Sequence, residues 1–214
     1  MQRIDTVEDL ARGLDALVVI DPRLGAVRAA AGPVPLRRSA PGFDSLVSVI
    51  VSQQVSRASA DAIFKRLSAR IDPLLPTSLA AAGIATLIEV GLSRAKQRAL
   101  AALCRAIEAG SLDLDRLGQL PADDAVAAMT AVPGIGPWTA QVYLLVAAGH
   151  ADIFPAGDVA LRSAVAHAFE LDSRPDIKGL AAMAESWSPW RSAAARLFWA
   201  YYREMKGLEA APAA

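Results

Sequence analysis

Residues 130–140 of this 214-residue chain read Thr-Ala-Val-Pro-Gly-Ile-Gly-Pro-Trp-Thr-Ala. Two glycines stand two positions apart with a proline on each side, between segments whose apolar residues recur at helical spacing. Glycine permits positive φ angles and close approach of another backbone, and proline is typical of turns and helix starts. The stretch therefore predicts a tight turn over residues 132–137 and a new helix over residues 138–148.

This turn has the chemistry of an anion-binding site. The first turn of a helix offers N–H groups that have no partner within the helix, and it lies at the positive end of the helix dipole. Main-chain donors of this kind can hold a phosphate without lysine or arginine. An ordinary corner between two helices, which needs glycine only for its geometry, is an equally good interpretation of the turn taken alone.

The composition excludes several classes of protein. With 54% apolar and 21% charged residues, the chain has ample apolar surface to bury, which excludes intrinsic disorder. Its 22 basic and 22 acidic residues cancel, so the net charge does not indicate a strongly basic nucleic-acid binder. The single cysteine, Cys104, excludes disulfide frameworks, cysteine-based zinc sites and iron–sulfur clusters.

The sequence shows no targeting or membrane segment. Residues 1–10 carry three acidic side chains where a secretory signal would need a basic and then an apolar run. No apolar run reaches the roughly 18–20 residues of a membrane span. We therefore expect a cytoplasmic protein with no membrane partner.

The positions of glycine and proline predict an all-α fold, because they fall between helical segments and not inside alternating, strand-like runs. Thr6 followed by Asp9 is typical of a capping box at the start of the first helix. We expect three parts along the chain: N-terminal helices over residues 1–42, a helical bundle over 43–149 that ends in the two-helix turn, and C-terminal helices over 150–214.

Five motifs in order resemble the helix-hairpin-helix-GPD DNA glycosylases, in particular the 3-methyladenine DNA glycosylase II branch. They are Gln53-Gln-Val-Ser56, Gly91-Leu-Ser-Arg-Ala-Lys96, the 130–140 stretch, Phe154-Pro-Ala-Gly-Asp158 and Trp187-Ser-Pro-Trp-Arg-Ser192. The resemblance spans residues 43–202. It implies a two-lobed helical fold with a central cleft, in which the N-terminal and C-terminal parts together form one lobe.

The resemblance assigns the catalytic role to Asp158, which follows the second glycine of the turn by 22 positions. Taken alone, an aspartate at a predicted helix start is most often an N-cap. Breaking the bond between a purine and deoxyribose develops positive charge on the sugar, which a carboxylate can stabilise while it orients or deprotonates the attacking water. His150 and His167 are given no catalytic role.

The expected reaction is hydrolysis without strand cleavage. In bifunctional members of the superfamily, a lysine lies in the first turn after the hairpin and forms a Schiff base with the sugar. This chain has Trp138 there, and its lysines lie elsewhere, at Lys65, Lys96, Lys178 and Lys206. We therefore expect a monofunctional enzyme of base excision repair that removes alkylated purines of the 3-methyladenine and 7-methylguanine type and requires no cofactor.

The resemblance also implies an aromatic pocket for the flipped base. Trp138 matches the pocket tryptophan of the family, and Trp187 resembles a second; packing in the core is the alternative for both. Cation–π attraction between such a ring and a cationic alkylated base would provide selectivity. Val142 and Val159 stand where the best-known bacterial members have tyrosine, so we expect a less aromatic pocket.

The remaining motifs are expected to contact duplex DNA. Gly134, Ile135 and Gly136 would hold a phosphate, and Val55 would fill the space that the flipped base leaves. The other candidate contacts are Gln53 and Gln54 to neighbouring bases or sugars, and Ser93, Arg94 and Lys96 to phosphate; capping of local turns and helix starts is the alternative. The main-chain oxygens of Thr130, Val132 and Ile135 would bind a monovalent cation.

Other interpretations remain open. A glycosylase for deaminated or oxidised bases is the nearest alternative enzyme. A non-catalytic helix-hairpin-helix scaffold for DNA and an alanine-rich protein-interaction domain are alternatives of other classes. For the glycosylase, the expected partner is double-stranded DNA with a flipped damaged base, bound by a monomer that is associated with the nucleoid if the source is bacterial.

Overall fold

The computed structural model describes residues 2–207, and within that range the chain is helical with no strand. The predicted all-α class is confirmed. The helices are α1 (Val7–Ile20), α2 (Arg23–Ala31), α3 (Phe43–Ser52), α4 (Arg57–Arg70), α5 (Pro76–Ala81), α6 (Gly83–Glu89), α7 (Arg94–Glu108), α8 (Leu114–Leu117), α9 (Ala122–Thr130), α10 (Pro137–Val146), α11 (Val159–Ala168), α12 (Ile177–Glu185) and α13 (Arg191–Lys206).

The described chain forms two compact units. The terminal unit consists of residues 2–38 and 149–207, and the hairpin unit consists of residues 39–148. No helix between residues 2 and 207 is long and apolar enough to cross a membrane.

The terminal unit packs α1, α2 and α11 against the long helix α13. The first helix begins at the predicted capping box: the Asp9 N–H donates to Thr6 Oγ1 at 3.2 Å, and the Thr6 N–H donates to Asp9 Oδ2 at 2.9 Å. On α13, every residue from Ser192 to Ala200 is buried, so this helix forms the centre of the unit.

Trp187 lies in the core of the terminal unit, with 0% of its surface exposed. Its ring centroid is 5.3 Å from that of Phe154, 5.2 Å from Phe198 and 6.3 Å from Phe169. Tilted and edge-on arrangements at these separations are the favourable ones for aromatic pairs. The ring presents no face to a ligand, which corresponds to the core-packing alternative for this residue.

A buried carboxylate holds the polar end of Trp187. The indole N–H donates to Asp21 Oδ2 at 3.1 Å, and Arg23 donates to both oxygens of Asp21 at 2.8 Å. The hydrogen bonds from Arg23 are the main reason that the pKa of Asp21 lies below its usual value. The same guanidinium lies 4.2 Å above the ring of Phe169 and thereby joins the polar cluster to the aromatic one.

The hairpin unit is built around α3 and α10. Helix α3 packs against α4, α7 and α10, and α9 packs against α10. Helix α10 is buried on nearly all sides from Thr139 to Val146, and its Tyr143 hydroxyl accepts a hydrogen bond from the Gly42 N–H at 3.0 Å. Because the rest of α10 is buried, the position of its N-terminal end is fixed within the hairpin unit.

We predict that Asp21→Ala lowers the free energy of unfolding by about 2–3 kcal/mol, because the buried Trp187 N–H loses its acceptor and Arg23 its partner. Asp15→Ala, which removes an exposed ion pair with Arg28, should cost less than about 1 kcal/mol. Urea denaturation measures both.

The Asp21 contribution also depends on pH. Because the folded-state pKa is depressed, the stabilisation is present above the unfolded value of about 3.9 and is lost as the pH falls through the folded value. The difference between the wild type and Asp21→Ala should therefore narrow below about pH 4. Equal costs for Asp21→Ala and Asp15→Ala at neutral pH would contradict this account.

Candidate functional site

The hairpin turn, residues 132–137, connects α9 to α10 as predicted. Gly134 adopts φ +93°, and a Cβ added there would lie 2.5 Å from Ala99 Cβ and 3.0 Å from Ala99 Cα on α7. No side chain fits at this distance from another backbone, and only glycine adopts this φ without strain. The turn is therefore seated directly on α7.

Gly136 differs from Gly134 in that it faces open space. It is the N-cap of α10 with φ −87°, a conformation open to any residue, and an added Cβ would meet no atom within 4 Å. Among the described residues, the N–H groups of Gly134 and Gly136 donate to no protein acceptor, while the Ile135 N–H donates to Val132 O at 3.1 Å. The turn thus presents main-chain donors at the positive end of a helix, the arrangement that binds anions.

Gln53 contacts the hairpin turn through its side chain. Its Nε2 donates to Thr139 Oγ1 at 2.7 Å and to Gly134 O at 3.4 Å. The amide thus contacts α10 and the turn in the free protein, and its contact with DNA bases or sugars stays a prediction.

The α3–α4 loop, residues 53–56, is exposed from Gln54 to Ser56. Gln54 has φ +55°, a left-handed conformation that is rare for residues other than glycine. Val55 is 40% exposed although it is apolar, and Ser56 caps α4 by accepting a hydrogen bond from the Ser59 N–H at 3.2 Å. The loop holds an apolar side chain at the surface, as a residue that inserts into a base stack would require.

Lys96 is turned into the protein, and the expectation that it contacts phosphate is wrong. Its ammonium donates to Val51 O, near the C-terminal end of α3, at 2.7 Å. Burial lowers the pKa of this amine. Ser93, in contrast, is exposed at the N-cap of α7, where its Oγ accepts a hydrogen bond from the Lys96 N–H at 3.4 Å.

Asp158 is held at the N-cap of α11 in the terminal unit. Its Oδ1 accepts hydrogen bonds from the Leu161 N–H at 3.1 Å and from Trp199 Nε1 at 3.4 Å, and the residue is 9% exposed. Its own N–H donates to Pro155 O at 2.9 Å. A carboxylate with donors of this kind has a fixed orientation, and the helix dipole favours its negative charge.

Trp199 is the residue of this site that the sequence analysis missed. It lies in the middle of α13, where a tryptophan in an apolar helix is ordinarily explained by core packing. Its indole donates to the carboxylate of a residue 41 positions earlier. No spacing in the sequence indicates this contact, because it depends on how α11 packs against α13.

The predicted pocket residues lie in different surroundings. Trp138, in the first turn of α10, is partly exposed, whereas Trp187 is in the core described above. Val142 is buried one helical turn after Trp138. Val159, directly after Asp158, is 56% exposed, so a small apolar side chain lies at the surface beside the carboxylate.

A cavity of about 910 Å³ in the hairpin unit does not belong to this site. It lies between α5, α6 and α7, and neither the hairpin turn nor the α3–α4 loop lines it. Its walls are mostly apolar and include Leu79, Leu87, Leu100 and Cys104. Burial raises the pKa of the Cys104 thiol to about 11, so the only cysteine is protonated at neutral pH and unsuited to nucleophilic chemistry.

This chain combines an all-helical fold, a glycine hairpin and a capped aspartate after the hairpin. This combination is the one expected of the helix-hairpin-helix glycosylases, the class that the five motifs resemble. The chain belongs to the HhH-GPD superfamily of base excision DNA repair proteins, whose family pattern matches residues 47–191. The resemblance inferred from the five motifs is confirmed.

Individual proteins that are similar in sequence or structure support the family assignment. The chain is 31% identical over 189 residues, 84% of its length, to the Mycobacterium tuberculosis protein named "Probable bifunctional transcriptional activator/DNA repair enzyme AlkA". It superposes with a TM-score of 0.78 and 27% identity on a DNA-3-methyladenine glycosidase from Bacillus halodurans, covering 96% of this chain and 92% of that one. The fold is also that of Schizosaccharomyces pombe Mag1 bound to abasic DNA, with a TM-score of 0.77, 21% identity, and coverage of 90% and 95%.

The chain is shorter than some of these relatives. It spans 37% of the length of the Mycobacterium tuberculosis protein and 33% of a Bacillus subtilis relative.

The two glycines of the turn should respond differently to alanine. Gly134→Ala should lower the free energy of unfolding by about 2 kcal/mol or more, because the methyl group meets Ala99 and the φ angle is strained. Gly136→Ala should change it by less than about 1 kcal/mol, since its φ is ordinary and the space is open. Thermal or urea unfolding of both variants measures this, and equal costs would contradict the seating of the turn on α7.

Proposed function

We propose that this chain is a monofunctional DNA glycosylase that hydrolyses the N-glycosidic bond of alkylated purines, of the 3-methyladenine and 7-methylguanine type, in duplex DNA. The observation that carries the proposal is the Asp158 carboxylate, fixed at the start of α11 by the Leu161 N–H and the Trp199 indole. The names of the relatives, which describe 3-methyladenine glycosylases and a DNA repair enzyme, support the same reaction.

The reaction needs an anion near the sugar. As the bond from C1′ to the base nitrogen breaks, its electron pair leaves with the base and positive charge develops on the deoxyribose. Asp158 stabilises that charge, and water adds to C1′ and loses a proton to the carboxylate or to solvent. A purine methylated at N3 or N7 is already cationic and leaves as a neutral base, so a single carboxylate without a partner acid is sufficient.

The hairpin turn is proposed to bind the DNA backbone. The N–H groups of Gly134 and Gly136 and the start of α10 would hold a phosphate through main-chain donors, which agrees with a net charge of zero. Ser93 at the exposed start of α7 provides a second contact of the same kind. Val55 is proposed to fill the space of the flipped nucleotide, and Gln54 to contact the neighbouring bases or sugars.

Selection of the base is assigned to aromatic surfaces. Trp138 is partly exposed at the start of α10, where its ring can stack on a cationic base and gain cation–π attraction. Trp187 is left out of the pocket because it has no exposed surface. Val142 has no exposed surface either, whereas Val159 provides apolar surface without an aromatic ring beside Asp158, which we propose widens the range of accepted bases.

We propose that the enzyme has no lyase activity. A Schiff base requires an amine that reaches the sugar, and Trp138 stands where bifunctional relatives carry that lysine. The buried amine of Lys96 is bound to Val51 O and is not available as a nucleophile.

A monovalent cation is proposed at the hairpin, held by the main-chain oxygens of Thr130, Val132 and Ile135. Carbonyl oxygens are suitable ligands for such an ion, and the Val132 oxygen, which accepts one hydrogen bond from Ile135, keeps a second lone pair. Among residues 2–207 no group of three or more His, Cys, Asp or Glu side chains could hold a metal ion. We propose no further cofactor, and a monomer that acts on chromosomal DNA in the cytoplasm.

Asp158→Asn is the direct test of the catalytic role. Asparagine keeps an oxygen for the Leu161 and Trp199 donors but loses the negative charge, so we expect the single-turnover rate of base release to fall by about 100-fold or more. Affinity for duplex DNA should stay within about threefold. Release of 7-methylguanine from methylated duplex and fluorescence anisotropy measure the two quantities.

Asp176→Asn is the matched control, because Asp176 is also an N-cap aspartate of the terminal unit and accepts a hydrogen bond from the Gly179 N–H at 2.7 Å. It should excise at the wild-type rate. Gly136→Ala should weaken DNA binding, whereas Asp158→Asn should leave the affinity for DNA nearly unchanged. A wild-type chain that binds DNA but releases no base would identify a non-catalytic scaffold.

The product distinguishes hydrolysis from lyase chemistry. Incubation of the protein with end-labelled duplex should leave the strand intact, and cleavage at the abasic site should appear only after alkali. Duplexes with 7-methylguanine, 3-methyladenine, uracil and 8-oxoguanine rank the lesions, and we expect the alkylated purines to be released fastest. Strand cleavage without alkali, or faster release of uracil or 8-oxoguanine, would overturn the corresponding part of the proposal.

A further inference from the structure

We propose that Gln53 is a positioning residue, whose side-chain amide couples the hairpin turn to the α3–α4 loop so that the residue inserted into DNA is held in a fixed relation to the site that binds the backbone. This inference rests on the proposed function. Its basis is a set of contacts formed entirely within the hairpin unit.

Gln53 occupies the point where α3 ends and the exposed loop begins. Its N–H donates to Ile50 O at 3.3 Å as the C-cap of α3. The next residue, Gln54, has a left-handed φ of +55°, and Val55 follows it at the surface. Any restraint on Gln53 therefore acts directly on Val55, which is proposed to enter the base stack, and on Gln54, which is proposed to contact the bases beside it.

The amide of Gln53 bonds to the first glycine of the turn and to the first turn of α10. Gly134 O is the acceptor on one side, at 3.4 Å, and Thr139 Oγ1, in the first turn of α10, is the acceptor on the other, at 2.7 Å. Thr139 is buried, so its hydroxyl has a fixed place in the helix. One side chain thus fixes the turn from the carbonyl of its first glycine to the start of α10.

Helix α7 contacts both the end of α3 and the hairpin turn. Lys96 donates to Val51 O, two residues before Gln53, and Ala99, nearly one helical turn further along, lies against Gly134. The end of α3, the hairpin turn and α7 therefore contact one another in pairs. Gln53 supplies the side of this triangle that runs directly from the loop to the turn.

These contacts imply that Gln53 affects insertion of the loop into DNA more than it affects binding of the DNA backbone. The turn can bind a phosphate without Gln53, because its N–H groups and its seat on Ala99 are unchanged when the amide is removed. The strained conformation of Gln54, in contrast, loses the restraint beside it and can relax. Loss of Gln53 should therefore reduce base flipping and the excision rate more than it reduces DNA affinity.

The experiment compares Gln53→Ala with Gln97→Ala in the full chain. Gln97 is the matched control, because its Nε2 also donates to a main-chain carbonyl, Leu92 O, at 2.7 Å, and this hydrogen bond involves neither the hairpin turn nor the α3–α4 loop. Each variant is measured for affinity to undamaged duplex, for single-turnover release of 7-methylguanine, and for the fluorescence of 2-aminopurine beside an abasic analogue, which reports insertion of the loop.

For Gln53→Ala we expect excision about tenfold slower, a reduced 2-aminopurine signal, and an affinity for undamaged duplex within about threefold of the wild type. Gln97→Ala should match the wild type in all three. Thr139→Val should reproduce Gln53→Ala and Thr139→Ser should restore the wild-type behaviour, since serine keeps the hydroxyl. The double variant Gln53→Ala, Thr139→Val should be no worse than either single variant.

A readout without DNA separates this inference from the proposed function. Hydrogen exchange of the free protein should show faster exchange of the amides of residues 134–140 in Gln53→Ala but not in Gln97→Ala. A wild type that releases no base would refute the glycosylase, while the exchange result would still decide the coupling. Unchanged exchange and excision in Gln53→Ala, or an affinity that falls as much as the rate, would overturn the positioning role. If Gln53→Ala does not fold, the same measurements on Thr139→Val test the positioning role of Gln53.

Discussion

The close contact between Gly134 and Ala99 is the constraint on which the hairpin unit depends. It places the turn against α7 with no room for a side chain, and it directs the N-terminus of α10 so that Gly136 faces open space. Gln53 and Lys96 then attach the end of α3 to the same two elements. A turn of six residues is in this way supported by three helices, although none of its own side chains is polar.

In the terminal unit, the corresponding constraint is the fixed orientation of a carboxylate. Asp158 serves both as the N-cap of α11 and as the proposed catalytic group, and Trp199 adds a donor from α13. A second tryptophan, Trp187, is held by Asp21 in the same manner but deep in the core. Each of the two indoles thus donates to an aspartate. Only Asp158, at the start of α11, is proposed to take part in catalysis, whereas Asp21 stabilises the core.

Local sequence signals predicted the features whose partners are close along the chain. The capping box of Thr6 and Asp9, the turn at 132–137 and the N-cap position of Asp158 all follow from residues within a few positions of one another. The contact of Trp199 with Asp158 joins residues 41 apart, and that of Gln53 with Thr139 joins residues 86 apart. Such contacts depend on helix packing, so the sequence motifs identified Gln53 as a candidate site residue but did not indicate its contact with Thr139.

The use of peptide N–H groups at the hairpin turn also limits how the cell could regulate it. Peptide amides do not titrate at physiological pH, and they offer no amine for acetylation or methylation, unlike lysine. An anion held by Gly134 and Gly136 would be bound equally well at mildly acidic and at neutral pH. Control over this contact would therefore have to act on another part of the protein, on its abundance or on access to its substrate.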